Sequence, residues 1–165
     1  MNPNVMVVDE YLTSFECDEM YQTFRDAEFR ELRPDDIWAN RVKHPEYTEY
    51  YKNKLIINRT VECENFFNKK FKMTSINMTL WKSGHEMPPH LDYGAWNEYP
   101  DREYVSIIYL NDDYQGGQIY IPKLNFELKP KKGQLICFQG GKYMHGVKKI
   151  LKGERLTSIC WFQVL

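Results

Sequence analysis

Residues 103–122, EYVSIIYLNDDYQGGQIYIP, decide how the second half of the chain reads. Two runs rich in Ile, Tyr and Val, the kind of side chains a pleated, half-buried surface accommodates, flank Asn-Asp-Asp and Gly-Gly, which favour turns. The same alternation extends both ways, through MTSINMTLW (73–81) upstream and FELKP (126–130), GQLICF (133–138), GVKKIL (146–151) and RLTSICWFQV (155–164) downstream. Roughly seven or eight short strands in about 90 residues predict a two-layer antiparallel sandwich or jelly roll.

Upstream of residue 73 the period changes. VMVVDEYL (5–12) is a short β-type run, and Thr13-Ser14-Phe15-Glu16 has the spacing of a capping box. Leu12, Cys17, Met20, Tyr21 and Phe24 then recur at three- and four-residue intervals, predicting a helix that ends near Phe29. A second helix is expected from Pro45 to about Phe71, with Tyr47, Tyr50, Tyr51, Lys54, Leu55, Asn58, Phe66 and Phe67 on one face. ELRPDDIWANRVK (31–43) between them reads as an irregular connection. The expected organisation is a single domain over 1–165, mainly β with an α contribution: 1–72 as helical support, 73–165 as the jelly-roll core.

A chain of 165 residues buries a real core, and 22 Lys and Arg against 23 Asp and Glu leave a net charge of −1. No excess of sign points to nucleic acid or a membrane surface. No run approaches the roughly 18 apolar residues of a spanning helix, and MNPNVMVVDEYL lacks the basic start and apolar stretch of a signal peptide, so a cytosolic protein is expected. Cys17, Cys63, Cys137 and Cys160 form no C-x-x-C pair and read as reduced, packed thiols.

Chemistry enters at MPPHLDYGAW (87–96). Residues i and i+2 of a strand share a face, so His90 and Asp92 can reach one point, and an imidazole nitrogen with a carboxylate oxygen suits a divalent transition metal. A third ligand is then required, with His44, His85 and His145 as candidates; without one, the pair is ordinary polarity at a strand end. A hairpin through LKGE would set Arg155 on a strand beside His145, and a buried guanidinium fork matches a carboxylate.

WKSGHEMPPHLD, REYVSIIYLNDDYQGGQIYIP, LKPKKGQLICF and MHGVKKILKGERLTSICWF, in that order between Trp81 and Phe162, resemble the Fe(II)- and 2-oxoglutarate-dependent dioxygenases, and among them the prolyl 4-hydroxylase branch. The resemblance implies a double-stranded β-helix with His90, Asp92 and His145 binding Fe(II). It places Arg155, ten residues after His145, on the distal carboxylate of 2-oxoglutarate, with the Tyr109 hydroxyl beside it. Trp81 stands where many members have a cofactor-contacting tyrosine. Arg102 and Trp161 match an arginine and a tryptophan placed around the substrate proline. Nucleic-acid demethylases of the superfamily instead carry a second arginine where Trp161 stands, which argues against a nucleic-acid substrate.

The implied reaction couples decarboxylation of 2-oxoglutarate to hydroxylation of a peptidyl proline by O2, with ascorbate as a reductant. Trp96 and Tyr99, in the aromatic-rich segment between Tyr93 and Arg102, are expected to touch the substrate. The alternatives are hydroxylation of another side chain or of a free small molecule, and an inactive jelly-roll relative that only binds its ligand.

Overall fold

The computed structural model describes residues 2–25, 29–30, 40–42, 49–92 and 101–165. In chain order these form β1 (Val5–Val8), α1 (Ser14–Arg25), β2 (Phe29–Arg30), β3 (Asn40–Val42) and α2 (Glu49–Lys52), which passes through a π-helical turn (Asn53–Asn58) into α3 (Arg59–Phe67). There follow β4 (Phe71–Lys82), β5 (Met87–His90), β6 (Tyr104–Tyr109), β7 (Gln115–Gly116), β8 (Ile119–Ile121), β9 (Phe126–Leu128), β10 (Leu135–Phe138), β11 (His145–Val147), β12 (Ile150–Lys152) and β13 (Glu154–Val164). Among the described residues the major sheet is ordered β1-β10-β6-β13-β4-β3-β2, the minor sheet β5-β11-β8-β9, and β12 pairs with β7. This is the jelly roll, with helices on one outer face.

β13 is the frame of the major sheet. It pairs with β4 from Glu154↔Lys82 to Val164↔Phe71, and with β6 along its other edge. Because successive side chains point to opposite faces, one strand serves two cores. Leu156, Cys160 and Phe162 pack with Met78, Leu80, Leu55 and Cys63 under the helices. Trp161, on the other face, joins Val105, Ile107, Tyr109, Ile119, Ile121 and Phe138 between the sheets. Each fully buried Leu or Phe in these cores contributes about 2–3 kcal/mol by area removed from water.

Several boundaries differ from the sequence expectation. α1 stops at Arg25, and Phe29, expected in its last turn, lies in β2, where the backbone pairs with β3. β3 itself falls in the stretch read as irregular; three residues along the end of β4 are too few to show a period. The second helix ends at Phe67, because Asn68 takes a left-handed conformation with φ 50° and its N–H bonds the Glu64 carbonyl. β4 can then start at Phe71. The π turn shifts the helix phase, so the buried positions are Leu55, Arg59 and Cys63, while Asn58 and Phe66 are exposed. Arg59 donates to Ser158 Oγ on β13 at 2.7 Å. Tyr47 lies outside the described residues.

The capping box forms as expected. Glu16 Oε2 accepts from the Thr13 N–H at 2.7 Å and its hydroxyl at 2.9 Å, and the Glu16 N–H donates to Thr13 Oγ1 at 3.2 Å. The Tyr50 hydroxyl also donates to Glu16, tying α1 to α2, and Lys54 Nζ lies 3.6 Å away. Burial alone would raise the Glu16 pKa, but these donors together pull it below the usual 4.5. A depressed carboxylate pKa stabilises the fold above the unfolded value, and that stability is lost as pH falls through the folded value. Glu16→Gln is therefore expected to cost about 1 kcal/mol in urea denaturation at neutral pH. The difference from wild type should vanish once the pH falls well below 4.5.

Candidate active site

β11 lies antiparallel to β5 with His145 directly opposite His90, and the two imidazoles approach to 4.4 Å between centroids. β5 ends at His90, so Asp92 is carried inward by a bend beyond the strand rather than by strand alternation. The Asp92 N–H is anchored on the Gly140 carbonyl at 3.1 Å. Asp92 Oδ1 then lies 3.7 Å from His90 Nε2, and Oδ2 lies 3.5 Å from His145 Nε2. One ligand atom from each of the three falls within 4.8 Å of the others, and among the described residues no other such cluster occurs.

The donor chemistry fits a divalent cation. Each histidine Nδ1 donates to a backbone carbonyl, His90 to Pro88 at 3.1 Å and His145 to Tyr143 at 3.0 Å. Both Nε2 lone pairs are thereby left facing Asp92, the outer-sphere arrangement of metal-binding imidazoles. Burial pushes the His145 pKa down, only partly opposed by Asp92, which keeps its imidazole neutral. Burial works against the Asp92 charge too, but His145 and His90 outweigh it and the carboxyl stays ionised. Burial likewise opposes the His90 imidazolium, but Asp92 more than offsets it, so of the three candidate donors His90 is the one where a proton would compete with a metal. Asp92 Oδ2 is buried without a hydrogen-bond partner among the described residues. A cation among these three donors would satisfy it.

Arg155 enters from the opposite sheet. The hairpin expected to lay it beside His145 does not form, because β11 is already paired on both edges, with β5 and β8. β13 pairs instead with β4 and β6, and Arg155 projects into the space between the sheets. Its guanidinium lies 5.0 Å from the centre of the Tyr109 ring and 5.3 Å from that of Trp81, and the residue is 1 % exposed. Arg155 Nε and Nη1 and the Tyr109 hydroxyl are buried and make no hydrogen bond among the described residues. A permanent charge and a phenol donor converge without an acceptor, the complement of a carboxylate.

A family model described as the 2OG-Fe(II) oxygenase superfamily matches residues 74–163, more than half of the chain. The chain belongs to this superfamily. Human prolyl 3-hydroxylase 2 is 37 % identical over 77 residues, which are 41 % of this chain and 11 % of that protein. This oxygenase thus spans only a small part of the relative's length. The viral collagen prolyl hydroxylase of Paramecium bursaria Chlorella virus-1, solved with 2OG, superposes with TM-score 0.77 at 19 % identity, covering 98 % of this chain and 96 % of that one. A Pseudomonas putida prolyl-4-hydroxylase superposes with TM-score 0.73 at 20 % identity, covering 97 % and 92 %. The fold of this chain is that of the solved prolyl hydroxylases, and membership of the superfamily implies Fe(II) and 2-oxoglutarate as the groups this site would hold.

The remaining candidate residues separate clearly. Trp81 is buried, but its indole N–H donates to Thr79 Oγ1 at 3.3 Å, so it offers Arg155 a ring face rather than a donor. The Arg102 guanidinium lies 4.2 Å from the centre of the Trp161 ring, and both residues are buried. The Trp161 indole N–H lies near enough to Asp92 to favour its carboxylate, without a formed hydrogen bond. Trp96, Tyr99 and His44 fall outside the described residues. His85 Nδ1 accepts from the Lys82 N–H at 3.2 Å and is not part of the His90, Asp92 and His145 cluster.

Two residues that the sequence reading passed over matter here. Tyr114 is buried beside Arg155 with its hydroxyl unbonded among the described residues; the signal was a lone aromatic between Asn-Asp-Asp and Gln-Gly-Gly. Gly140 follows β10, and a Cβ there would lie 2.2 Å from Asp92 Oδ2 and 2.9 Å from Val105 Cγ1. Asp92 has room only because that atom is missing. Gly140→Ala is expected to weaken Fe(II) binding at least tenfold by anaerobic titration calorimetry, about 1.4 kcal/mol. The fold should persist in far-UV circular dichroism.

Proposed function

We propose that this oxygenase hydroxylates the ring of a prolyl residue within a peptide or protein. One O2 and one 2-oxoglutarate are consumed; one oxygen atom goes to the proline, the other to succinate, and CO2 is released. Ascorbate serves as the reductant that keeps the iron ferrous. His90, Asp92 and His145 hold Fe(II), which when bound supplies the oxygen activation that no side chain can provide. Arg155 and Tyr109 receive the distal carboxylate of 2-oxoglutarate, with the Trp81 ring as a wall. The apolar surfaces of Ile107, Ile119, Ile121 and Phe138 keep water out of the space between the sheets.

The observation that carries the prolyl reading is the Arg102–Trp161 pair beside Asp92. A flat indole, stiffened by a guanidinium stacked on it, gives a proline ring an apolar surface next to the metal donors, and Arg102 can donate to the peptide carbonyl. Trp96 and Tyr99, in the sequence between Asp92 and Arg102, are proposed to contact the substrate. The likeness to prolyl 4-hydroxylases favours C4 of the ring, whereas the 37 % identical stretch of a prolyl 3-hydroxylase favours C3. All four cysteines are unpaired and buried, which supports a reducing compartment such as the cytoplasm.

Peptide arrays incubated with the Fe(II)-loaded protein and 2-oxoglutarate are expected to gain one oxygen atom on proline, with stoichiometric succinate. The His90→Ala variant should give neither. Amino-acid analysis of the product assigns C3 or C4. Succinate formation driven by free amino acids or metabolites, and not by proline-containing peptides, would overturn the prolyl reading.

A further inference from the structure

We infer that Tyr114 is a specificity-determining residue for the 2-oxo acid, supplying a second phenolic donor that lets the chamber select a ligand with a distal carboxylate. The inference rests on the oxygenase reading above and goes beyond the Arg155–Tyr109 pair. Tyr114 leads into β7, is only 4 % exposed, and has its hydroxyl sealed from water with no hydrogen bond among the described residues. Sealing a hydroxyl away without a partner costs about 1–3 kcal/mol, so such a group calls for an acceptor.

The ring is fixed where it is. Lys129 Nζ lies 3.4 Å from its centre and donates to the Tyr114 and Gly116 carbonyls at 2.8 and 3.1 Å, fastening that stretch of chain from below. Gly117, with φ 69°, brings three groups together at one point: a Cβ there would lie 2.8 Å from Tyr114 Cε2, 2.6 Å from Ile150 Cδ1 and 3.3 Å from Arg155 Cδ. The Tyr114 ring and the Arg155 stem therefore meet at the space that Gly117 leaves open.

Two phenols, Tyr109 and Tyr114, then lie near Arg155, and all three carry unmet donor capacity. Burial raises both phenol pKa values, opposed only in part by the Arg155 charge and by its N–H groups, which lie near the phenol oxygens without a formed hydrogen bond, so both hydroxyls stay protonated at neutral pH. No carboxylate of the described residues forms an ion pair with Arg155. A carboxylate offers two oxygens with about four acceptor positions, and can take the guanidinium and both hydroxyls together. A 2-oxo acid ending in a methyl group would leave all three unmet. Discrimination of this kind comes from groups that an incorrect ligand leaves unpaired.

The test is Tyr114→Phe, which keeps the ring and removes one oxygen. Anaerobic titration calorimetry of the Fe(II)-loaded protein is run with 2-oxoglutarate and with 2-oxobutyrate, which lacks the distal carboxylate. The variant should bind 2-oxoglutarate between about tenfold and a hundredfold more weakly, as for loss of one hydrogen bond to a charged group. It should bind 2-oxobutyrate as wild type does, and its ligand-free thermal midpoint should be no lower than that of wild type, since the hydroxyl removed has no partner there. Unchanged affinity for 2-oxoglutarate, or equal weakening for both acids, would overturn the role of Tyr114. If the wild type binds neither acid while Fe(II) still binds, the oxygenase reading itself falls and this inference with it.

Discussion

The buried charge of Arg155 constrains everything around it. A guanidinium taken out of water costs several kcal/mol unless it is paired, and among the described residues it has no carboxylate partner. The space between the sheets also holds, on Asp92, a buried carboxylate oxygen without a hydrogen bond. The two are not each other's partners. A stable fold that keeps a cationic and an anionic group unsatisfied in one apolar space is built to receive a ligand set with complementary charges: a cation at Asp92 and the histidines, a carboxylate at Arg155.

Bringing those groups together is the work of two sheets. The minor sheet sets His145 opposite His90 by strand register, and Asp92 is swung in by a bend whose depth depends on Gly140. The major sheet carries Arg155 and Trp161 on the same face of β13, with Tyr109 opposite Thr157 on β6. The other face of β13 is spent on the helices, through Leu156, Cys160 and Phe162. Packing under the helices therefore fixes the frame from which Arg155 and Trp161 project into the space between the sheets.

Most of the architecture was legible in the sequence, because β alternation and turn residues after Met73 are local signals. The capping box at Thr13–Glu16 was legible for the same reason. The clustering of His90, Asp92 and His145 was legible because a short spacing, His90 to Asp92, could be joined to a motif around His145. What escaped was set by partners distant in the chain. Arg155 was expected beside β11, but β11 has no free edge. The π turn that moves Arg59 and Cys63 onto the buried face leaves no composition signal, and a three-residue strand such as β3 is defined only by the edge it meets. Tyr114 looked like any turn aromatic, since its meaning lies in the guanidinium beside it.

The central claim is that one chamber binds a metal through His90, Asp92 and His145 and, on the same ion, a 2-oxo acid whose far end reaches Arg155. Anaerobic visible absorption spectroscopy tests this directly, because Fe(II) chelated by a 2-oxo acid gives a weak charge-transfer band that neither component gives alone. The band is expected in wild type on adding Fe(II) and 2-oxoglutarate. It should be absent in His145→Ala at any concentration of 2-oxoglutarate, and should return in Arg155→Met only at much higher 2-oxoglutarate. A folded wild-type chain that gives no band, or a His145→Ala variant that gives a full one, would contradict the account.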